Sequence, residues 1–463
     1  MMKIRKKLYK PIPSEDINHS KNINKKKFFK LKNLKKWKFI KKNTTLNYIL
    51  LFSFSFLCIF IILLIIINFK PKKRKISYVN IELNNETFRE KSITQSDDNN
   101  KKVNMSLIEE IKESQQFIDM CMNDTLINQN IEFYKSENPK ISVVVPLFNA
   151  EGYIKYNLCS IQKQNFHDIE IIIVDDYSKD NSVNLVKDLM KKDPRIILYQ
   201  NEENKGTLYS KTKGVLMAKG KYVLVSDQDD MYIQNDAFST MYKELEKYSL
   251  DILGFGSIYA ATIHLLKRMA LYLYLDTPVM YQPHISRKMF YTNKQGNVVR
   301  IGDVIWNYIY KTEVFIKSIM QIDDKYMNSK MNCHEDFLLF FLLTRNAYNL
   351  KHIKRLFYAH IKWVGDNDTK ILFTKKEKKI NKQNLDCMSF MNYIEFLLMK
   401  TKDTIDDKKI ASSELKNWYL NNPCKNNTYV EERGRKVCKL FLENKYITDD
   451  VKKEINSFLE KKS

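Results

Sequence analysis

The sequence lacks the motifs that mark several common classes of protein. Its seven cysteines are scattered without a CxxC pair, so a zinc site is not predicted. With only ten glycines in 463 residues, it contains neither GxGxxG nor GxxxxGK(S/T). These absences disfavour a dinucleotide-binding dehydrogenase and a P-loop enzyme. No zinc-finger spacing or helix-turn-helix pattern organises the basic residues for nucleic-acid binding either.

The charge is strongly positive and unevenly distributed. The chain has 78 Lys and Arg against 54 Asp and Glu, a formal net charge of +24. Such a balance suits nucleic acid or an anionic membrane as a partner. Much of the excess lies in the first 75 residues and in the C-terminal tail. A tethered protein that binds polyanions through its tails would explain this charge, but not the ordered acidic residues of the middle, and no nucleic-acid partner is expected.

The N-terminal region has the pattern of a membrane anchor. Residues 1–46 form a basic tail, and residues 48–67 then run without a charge over about 20 residues, enough to cross about 30 Å of hydrocarbon. A cleaved signal peptide is the competing interpretation, but the leading segment is too long and no small-residue cleavage site follows. The basic excess before the span predicts a cytosolic N-terminus. We therefore expect a single-pass type II membrane protein of the Golgi or ER lumen, with the cell surface as an alternative.

Beyond the span, the composition and periodicity of the sequence change again. Residues 70–139 are polar without a sustained period and are predicted to form a stem. From residue 140, apolar runs alternate with helical patterns, which predicts a parallel sheet with right-handed crossovers. The predicted strands are Ile141–Val145, Glu170–Val174, Arg195–Tyr199 and Tyr222–Val225. The resulting α/β domain is expected over residues 140–370, followed by a helical C-terminal extension over residues 371–463.

A cluster of carboxylates follows the fourth predicted strand. Asp227, Asp229 and Asp230 come directly after its apolar run, at the strand end where open α/β sheets bind ligands. Crowded carboxylates repel one another and are tolerated mainly when a hard divalent cation shares them. An exposed acidic turn or a helix N-cap is the simpler alternative for the cluster taken alone.

Four segments resemble, in order and spacing, the successive motifs of family 2 glycosyltransferases. They are ISVVVPLFNAE at 141–151, IIIVDDYSKD at 171–180, NKG at 204–206 and SDQDD at 226–230. The resemblance covers roughly residues 140–365. It implies a glycosyltransferase A fold, with a mixed, mainly parallel sheet flanked by helices, a nucleotide-sugar donor, and inversion at the anomeric carbon.

The same resemblance implies roles for individual residues. Those expected to bind the nucleotide sugar are Pro146, Phe148, Glu151, Asp175, Asp176, Lys211 and Asp227. Asp227 and Asp229 match the family's DxD motif, which holds Mn²⁺ or Mg²⁺ against the diphosphate. Lys211 stands where the family usually has Arg. Its ammonium group is a compact point charge, whereas the guanidinium of Arg presents several N–H donors in one plane.

The second half of the domain must supply a base and an acceptor site. Glu335 and Asp336 open an apolar helix and resemble the family's Glu-Asp motif. Asp336 is therefore the candidate general base and Glu335 the residue that positions it, with a helix N-cap as the alternative. Trp306, which would stack on a sugar, and Asp230 are the acceptor candidates, with core packing as the alternative for Trp306. His360 is either a further metal ligand or a structural histidine.

The functional prediction is a membrane-anchored inverting glycosyltransferase. It would move a hexosyl or N-acetylhexosaminyl group from a nucleotide sugar to a hydroxyl of a glycan, protein or lipid. A transferase acting on polyprenyl phosphate is the nearest enzymatic alternative. A catalytically inactive transferase-fold module acting in carbohydrate binding or scaffolding is the alternative from a different class.

Overall fold

The computed structural model describes residues 79–84, 87–92, 105–123, 133–260, 269–292, 298–300, 304–361, 392–397 and 449–460, with a few single residues after 388. The predicted span at residues 48–67 and most of the predicted extension at 371–463 lie outside these residues. Within them, no helix has both the length and the apolarity needed to cross a membrane.

Both strands and helices occur throughout the described residues. The strands are β1 (Val79–Asn84), β2 (Thr87–Ser92), β3 (Ile141–Leu147), β4 (Ile169–Asp175), β5 (Ile196–Gln200), β6 (Tyr222–Val225), β7 (Met231–Tyr232), β8 (Ile252–Ala260), β9 (Met269–Tyr272), β10 (Met280–Tyr281), β11 (Phe290–Thr292), β12 (Val298–Arg300), β13 (Tyr308–Lys311) and β14 (Asn349–Ile361). The helices are α1 (Met105–Asn123), α2 (Ile154–Gln162), α3 (Ser182–Met190), α4 (Thr207–Met217), α5 (Ala237–Tyr248), α6 (His284–Met289), α7 (Thr312–Ile319), α8 (Asp324–Met327), α9 (Glu335–Asn346) and α10 (Asp449–Glu460).

The first half of the domain is the predicted alternation of strands and helices. Strands β5, β4, β3 and β6 lie side by side in that order, and each adjacent pair is parallel. All residues of β4 and β6 are buried, as expected for parallel strands covered on both faces by crossover helices. The four strand predictions are therefore confirmed, with boundaries that differ by at most two residues.

One glycine decides how closely a helix approaches this sheet. A Cβ added to Gly214 of α4 would lie 2.3 Å from Cγ1 of Val144 in β3. Because only a residue without a side chain fits there, α4 rests directly on the central strands. This contact brings Lys211, one helical turn earlier, over the C-terminal edge of the sheet.

Antiparallel strands extend the sheet on the β6 side. β13 pairs antiparallel with both β6 and β8, and β8 continues through β9 to β1 and β2. The long strand β14 runs parallel to β8 and antiparallel to β7. The sheet is mixed, as expected, but it is not mainly parallel: among the described residues, four of its strand pairings are parallel and seven are antiparallel. The ends of β6, β7 and β14 converge on the acidic cluster.

The region predicted as a stem contains regular structure. β1 pairs with β9, and α1 buries Ile111 and Ile118 in one apolar cluster with Ile233 and Leu356. The expectation that residues 70–139 lack a sustained period is therefore wrong for residues 105–123. Polar residues outnumber the apolar ones in α1, so its narrow buried stripe is easily overlooked in the sequence; the spacer role of the rest stays a prediction.

Candidate active site

The acidic loop after β6 is held in a fixed shape by a buried asparagine. The side-chain amide of Asn157, on α2, donates to Ser226 Oγ, Asp227 O and Asp230 O at 2.8–2.9 Å. From the other side, Asp227 N donates to the hydroxyl of Tyr358 at 3.0 Å. The positions of the carboxylates are therefore set by α2 and β14 and not only by the loop itself.

Asp230 is an anchor within this loop. Its Oδ1 accepts from Ile361 N and its Oδ2 lies 3.1 Å from Nδ1 of His360, while the side chain is fully buried. Burial raises the pKa of Asp230 and His360 opposes that shift. A carboxylate with both oxygens engaged and no exposed surface favours an anchoring role, and the acceptor contact of Asp230 stays a prediction.

The pKa of His360 is set by its contact with Asp230. Burial lowers its pKa, but the hydrogen bond and charge of Asp230 outweigh burial and raise the pKa to about 9. The contact with Asp230 favours the structural alternative for this histidine.

Trp306 lies in an aromatic stack beneath the acidic loop. It is 3% exposed, and its ring stacks on those of Tyr358, at 4.9 Å, and His360, at 5.6 Å between centroids. This environment matches core packing, the alternative to sugar stacking. The acceptor role of Trp306 is therefore not supported by its exposure.

A buried lysine joins the two acidic motifs. Nζ of Lys211 lies 3.2 Å from Asp227 Oδ1, 3.0 Å from Glu335 Oε1 and 2.8 Å from Asp336 Oδ1. Burial alone lowers the pKa of Lys211, but the three carboxylates hold it well above its usual value. The lysine is thus a permanent cation, and it brings α4, the acidic loop and the start of α9 together.

The pKa of Asp336 is shifted towards neutrality. Burial raises the pKa of its carboxyl to about 7, whereas Lys211 acts in the opposite direction. A carboxylate with a pKa near neutrality combines a usable ionised fraction with basicity. Glu335 is buried beside it and shares the same ammonium group, which fits the positioning role predicted for it.

The loops after β3 and β4 form the neighbouring part of this edge. Asp176 accepts from Asn201 Nδ2, Lys205 N and Gly206 N at 2.7–2.8 Å, so it organises the Asn204–Gly206 turn. Asp175 is also buried and accepts from Ser178 N at 3.1 Å and Gln200 Nε2 at 3.2 Å. Of the two, Asp176 already has the fuller structural role.

The predicted nucleotide-side residues surround these loops. Pro146 lies near the end of β3, and Phe148 follows that strand with 42% of its surface exposed. Glu151 is exposed and accepts from Asn181 N at 2.9 Å, which ties the first loop to the second. An exposed aromatic ring beside a strand end can stack on a nucleobase.

Gln228 connects the acidic loop to the nucleotide side. Its amide oxygen accepts from Phe148 N at 2.6 Å, and its amide nitrogen donates to Phe148 O at 3.1 Å. Sequence inspection missed this residue, together with Asn157 and Tyr358. Asn157 had a visible signal, since it is a polar residue between Ile154 and Leu158 on the apolar face of α2.

Asp227 and Asp229 are the side chains that could hold a cation. Burial, with repulsion from Asp230 and then Asp227, raises the pKa of Asp229 to about 7, and a bound cation would relieve that repulsion. Among the described residues, no three His, Cys, Asp or Glu side chains are grouped as a metal cage. Two carboxylates nevertheless fit a cation such as Mg²⁺, which is usually completed by substrate phosphates and water.

A family model matches part of the region that carries this site. Residues 142–302 match the family model described as Glycosyl transferase family 2. This match covers a little over a third of the chain.

The curated relatives share only part of their length with this chain. Glycosyltransferase GlyA of Streptococcus pneumoniae is 28% identical over 46% of this chain and 31% of its own. The uncharacterized glycosyltransferase EpsJ of Bacillus subtilis is 28% identical over 40% of this chain and 52% of its own. A Campylobacter jejuni protein named GalNAc(5)-diNAcBac-PP-undecaprenol beta-1,3-glucosyltransferase is 38% identical over 24% of this chain and 36% of its own. The chain thus spans about a third to a half of these relatives.

Two solved structures are also similar to this chain. TarS residues 1–349 of S. aureus, in complex with UDP-GlcNAc, has 17% identity and a TM-score of 0.46, over 68% of this chain and 83% of that one. The mannosyltransferase PcManGT of Pyrobaculum calidifontis, in complex with GDP-Man and Mn²⁺, has 12% identity and a TM-score of 0.35, over 76% of this chain and 88% of that one.

Proposed function

We propose that this protein is an inverting glycosyltransferase that moves a hexosyl or N-acetylhexosaminyl group from a nucleotide sugar to a hydroxyl of a glycan, protein or lipid. The observation that carries the proposal is the convergence of Asp227, Glu335 and Asp336 on the buried ammonium of Lys211. A diphosphate-side carboxylate and a candidate base thereby face the same small volume at the C-terminal edge of the sheet. The family 2 domain and the glycosyltransferase names of its relatives support the same activity.

In this proposal, Asp336 acts as the general base. It takes the proton from the acceptor hydroxyl as the acceptor oxygen bonds to the anomeric carbon and the bond to the nucleoside diphosphate breaks. Displacement from the opposite face inverts that carbon. Lys211 keeps one oxygen of Asp336 fixed and balances its charge, and Glu335 holds Lys211 in turn.

Asp227 and Asp229 would hold Mn²⁺ or Mg²⁺ in the same proposal. The cation would neutralise the charge that grows on the departing diphosphate. Phe148, with Pro146 and Glu151 nearby, would line the nucleotide side, and the exposed ring of Phe148 would stack on the base. Asp175 is the better candidate of the acidic pair for the ribose or base, because Asp176 already accepts three hydrogen bonds.

The remaining elements of the proposal concern location. The uncharged run at residues 48–67 would anchor the chain in a membrane, with the transferase domain in the Golgi or ER lumen or at the cell surface. This part is supported by the sequence pattern alone.

The test is release of nucleoside diphosphate from a panel of sugar nucleotides by the purified full chain, with Mn²⁺ or with EDTA. We expect turnover of one donor that requires the cation and falls by about 10²–10⁴-fold in Asp336→Asn. Donor binding should persist in that variant and be weakened in Asp229→Ala. Asp188→Asn, an exposed carboxylate on α3, is the matched control and should retain wild-type activity.

The alternative of an inactive carbohydrate-binding or scaffolding module makes a different prediction. A folded wild-type chain that binds glycans, yet neither binds nor hydrolyses any sugar nucleotide with either cation, would support it and overturn the transferase proposal. Donor binding without turnover would direct the search to the acceptor.

A further inference from the structure

β14 contains an irregular stretch before it reaches the acidic loop. Its parallel register with β8 shifts between His352 and Leu356 and again between Leu356 and Tyr358. Extra residues on one strand leave backbone groups without ladder partners and change the direction of the strand. The facing residue Gly256 allows this close passage, because a Cβ there would lie 2.9 Å from Arg355 O.

A carboxylate from outside the sheet accepts a hydrogen bond from a backbone amide in this irregular stretch, the β14 bulge. Oε1 of Glu110, on α1, accepts from Leu356 N at 2.7 Å and from Arg355 Nε at 3.2 Å. Its Oε2 accepts from the hydroxyl of Tyr274 at 2.9 Å. Arg355 also makes a two-oxygen ion pair with Asp236, at 3.0–3.1 Å, which extends the network to the start of α5.

The same helix contacts the segment that follows β7. Gln234, two residues after β7, donates through its side-chain amide to Glu110 O and Ser114 Oγ, both at 3.0 Å. Ile111 and Ile118 of α1 share an apolar cluster with Ile233 and Ala359. α1 therefore packs against β7 and the last part of β14, two strands that pair with each other beside the acidic loop.

Beyond the bulge, β14 makes three direct contacts with the acidic loop. The Tyr358 hydroxyl accepts from Asp227 N, His360 pairs with Asp230, and Ile361 N donates to Asp230 Oδ1. The direction that the strand takes after Leu356 decides where these groups lie. A side chain that fixes the bulge therefore acts on the position of Asp227 and Asp229 without touching them.

We propose that Glu110 is a positioning residue for the acidic loop, and that donor binding depends on α1, a helix that precedes the family 2 domain. The part of this proposal that concerns donor affinity rests on the proposed function. The structural coupling from Glu110 through the β14 bulge to Asp227–Asp230 is independent of the proposed function.

The experiment compares Glu110→Ala and Glu110→Gln in the full chain with Glu113→Gln, which changes an exposed glutamate of the same helix. Amide hydrogen exchange is followed in residues 354–361, in residues 227–233 and in the central strands β3 to β5. We expect Glu110→Ala to accelerate exchange in the first two segments and leave β3 to β5 unchanged. Glu110→Gln keeps an acceptor for Leu356 N but loses the charge that pairs with Arg355, so its effect should be smaller in the same segments.

Donor affinity is the second readout. Glu110→Ala should raise the Kd of the sugar nucleotide in the presence of Mn²⁺ by about ten-fold, with a smaller effect on kcat, because the base Asp336 lies on another element. Glu113→Gln should match the wild type. If Glu110→Ala does not fold, Tyr274→Phe removes a single hydrogen bond to Glu110 and provides a milder version of the same comparison.

Two results would overturn the proposal. One is faster exchange at residues 354–357 with none at 227–233, which would confine Glu110 to a local role. The other is a uniform rise in exchange over the whole domain, which would make Glu110 a general stabilising residue. Absence of sugar-nucleotide binding in the wild type would overturn the proposed function instead, and the exchange comparison would still decide the coupling.

Discussion

The ammonium of Lys211 is the charge on which the candidate site depends. Removing it leaves Asp227, Glu335 and Asp336 close together in a buried region without the cation that each contacts. Lys211→Met should therefore lower the free energy of unfolding by about 3–5 kcal/mol. Urea denaturation followed by circular dichroism measures this.

Two further variants complete that comparison. Lys187→Met removes an exposed lysine from α3 and should change the free energy of unfolding by less than about 0.5 kcal/mol. Lys211→Arg keeps the charge and should recover part of the loss. Equal stability of the Met variants at positions 211 and 187 would mean that the buried carboxylates find other compensation.

Asp229 makes the stability of the cation-free protein depend on pH. Its pKa is about 7 in the folded protein against an ordinary value of 3.8, so the folded state holds this proton more tightly than the unfolded chain. The contribution is present at low pH and is lost as pH rises from about 4 to about 7, at no more than about 1.4 kcal/mol per pH unit. Urea denaturation in EDTA at pH 5 and pH 7.5 should show the decrease.

Replacing Asp229 alone isolates its contribution to the pH dependence of stability. Asp229→Asn should make the loss of stability between pH 5 and pH 7.5 smaller than in the wild type. The remaining decrease comes from the other groups whose pKa the fold raises, among them Asp336, at about 7, and His360, at about 9. A wild type and variant with the same pH profile would show that Asp229 titrates normally.

At the scale of elements, the packing of α4 on the sheet provides the sharpest test. Gly214→Ala places a methyl group 2.3 Å from Val144 Cγ1, so the helix or strand must shift. We expect a loss of about 1–3 kcal/mol in the free energy of unfolding, although alanine favours an isolated helix by about 1 kcal/mol. Thermal or urea denaturation measures the change.

Gly152→Ala is the control, since nothing lies within 4 Å of the added Cβ. Because α4 carries Lys211, Gly214→Ala should also reduce the proposed transferase activity, whereas Gly152→Ala should not. A Gly214→Ala protein as stable as the wild type would mean that α4 is less closely seated on β3 than these distances indicate.

At the scale of the whole molecule, the predicted anchor is directly testable. An uncharged segment of about 20 residues crosses about 30 Å of hydrocarbon, so the full chain should remain with membranes after alkaline carbonate extraction. A chain lacking residues 48–67 should be released. Mass spectrometry of the mature protein separates this from a cleaved signal peptide, which would remove the N-terminal tail.

Much of the candidate site was predictable because its signals are local. β4 and β6 are short, largely apolar runs followed at once by acidic residues, and Asp336 opens an apolar helix. In a parallel sheet, the carboxyl ends of the strands meet at one edge, so Asp175 and Asp227 were expected on the same side. The individual strands therefore needed no knowledge of their partners to be recognised.

The sequence by itself determined the alternation of strands and helices and the order of the acidic motifs, since both are properties of neighbouring residues. Tertiary structure alone decided that Lys211 contacts Glu335, 124 residues later, and that both carboxylate oxygens of Asp230 contact His360 and Ile361. It also decided that α1, polar in composition, packs against β14. These features depend on contacts between residues far apart in the chain, and no periodicity or local charge pattern specifies which distant groups will meet.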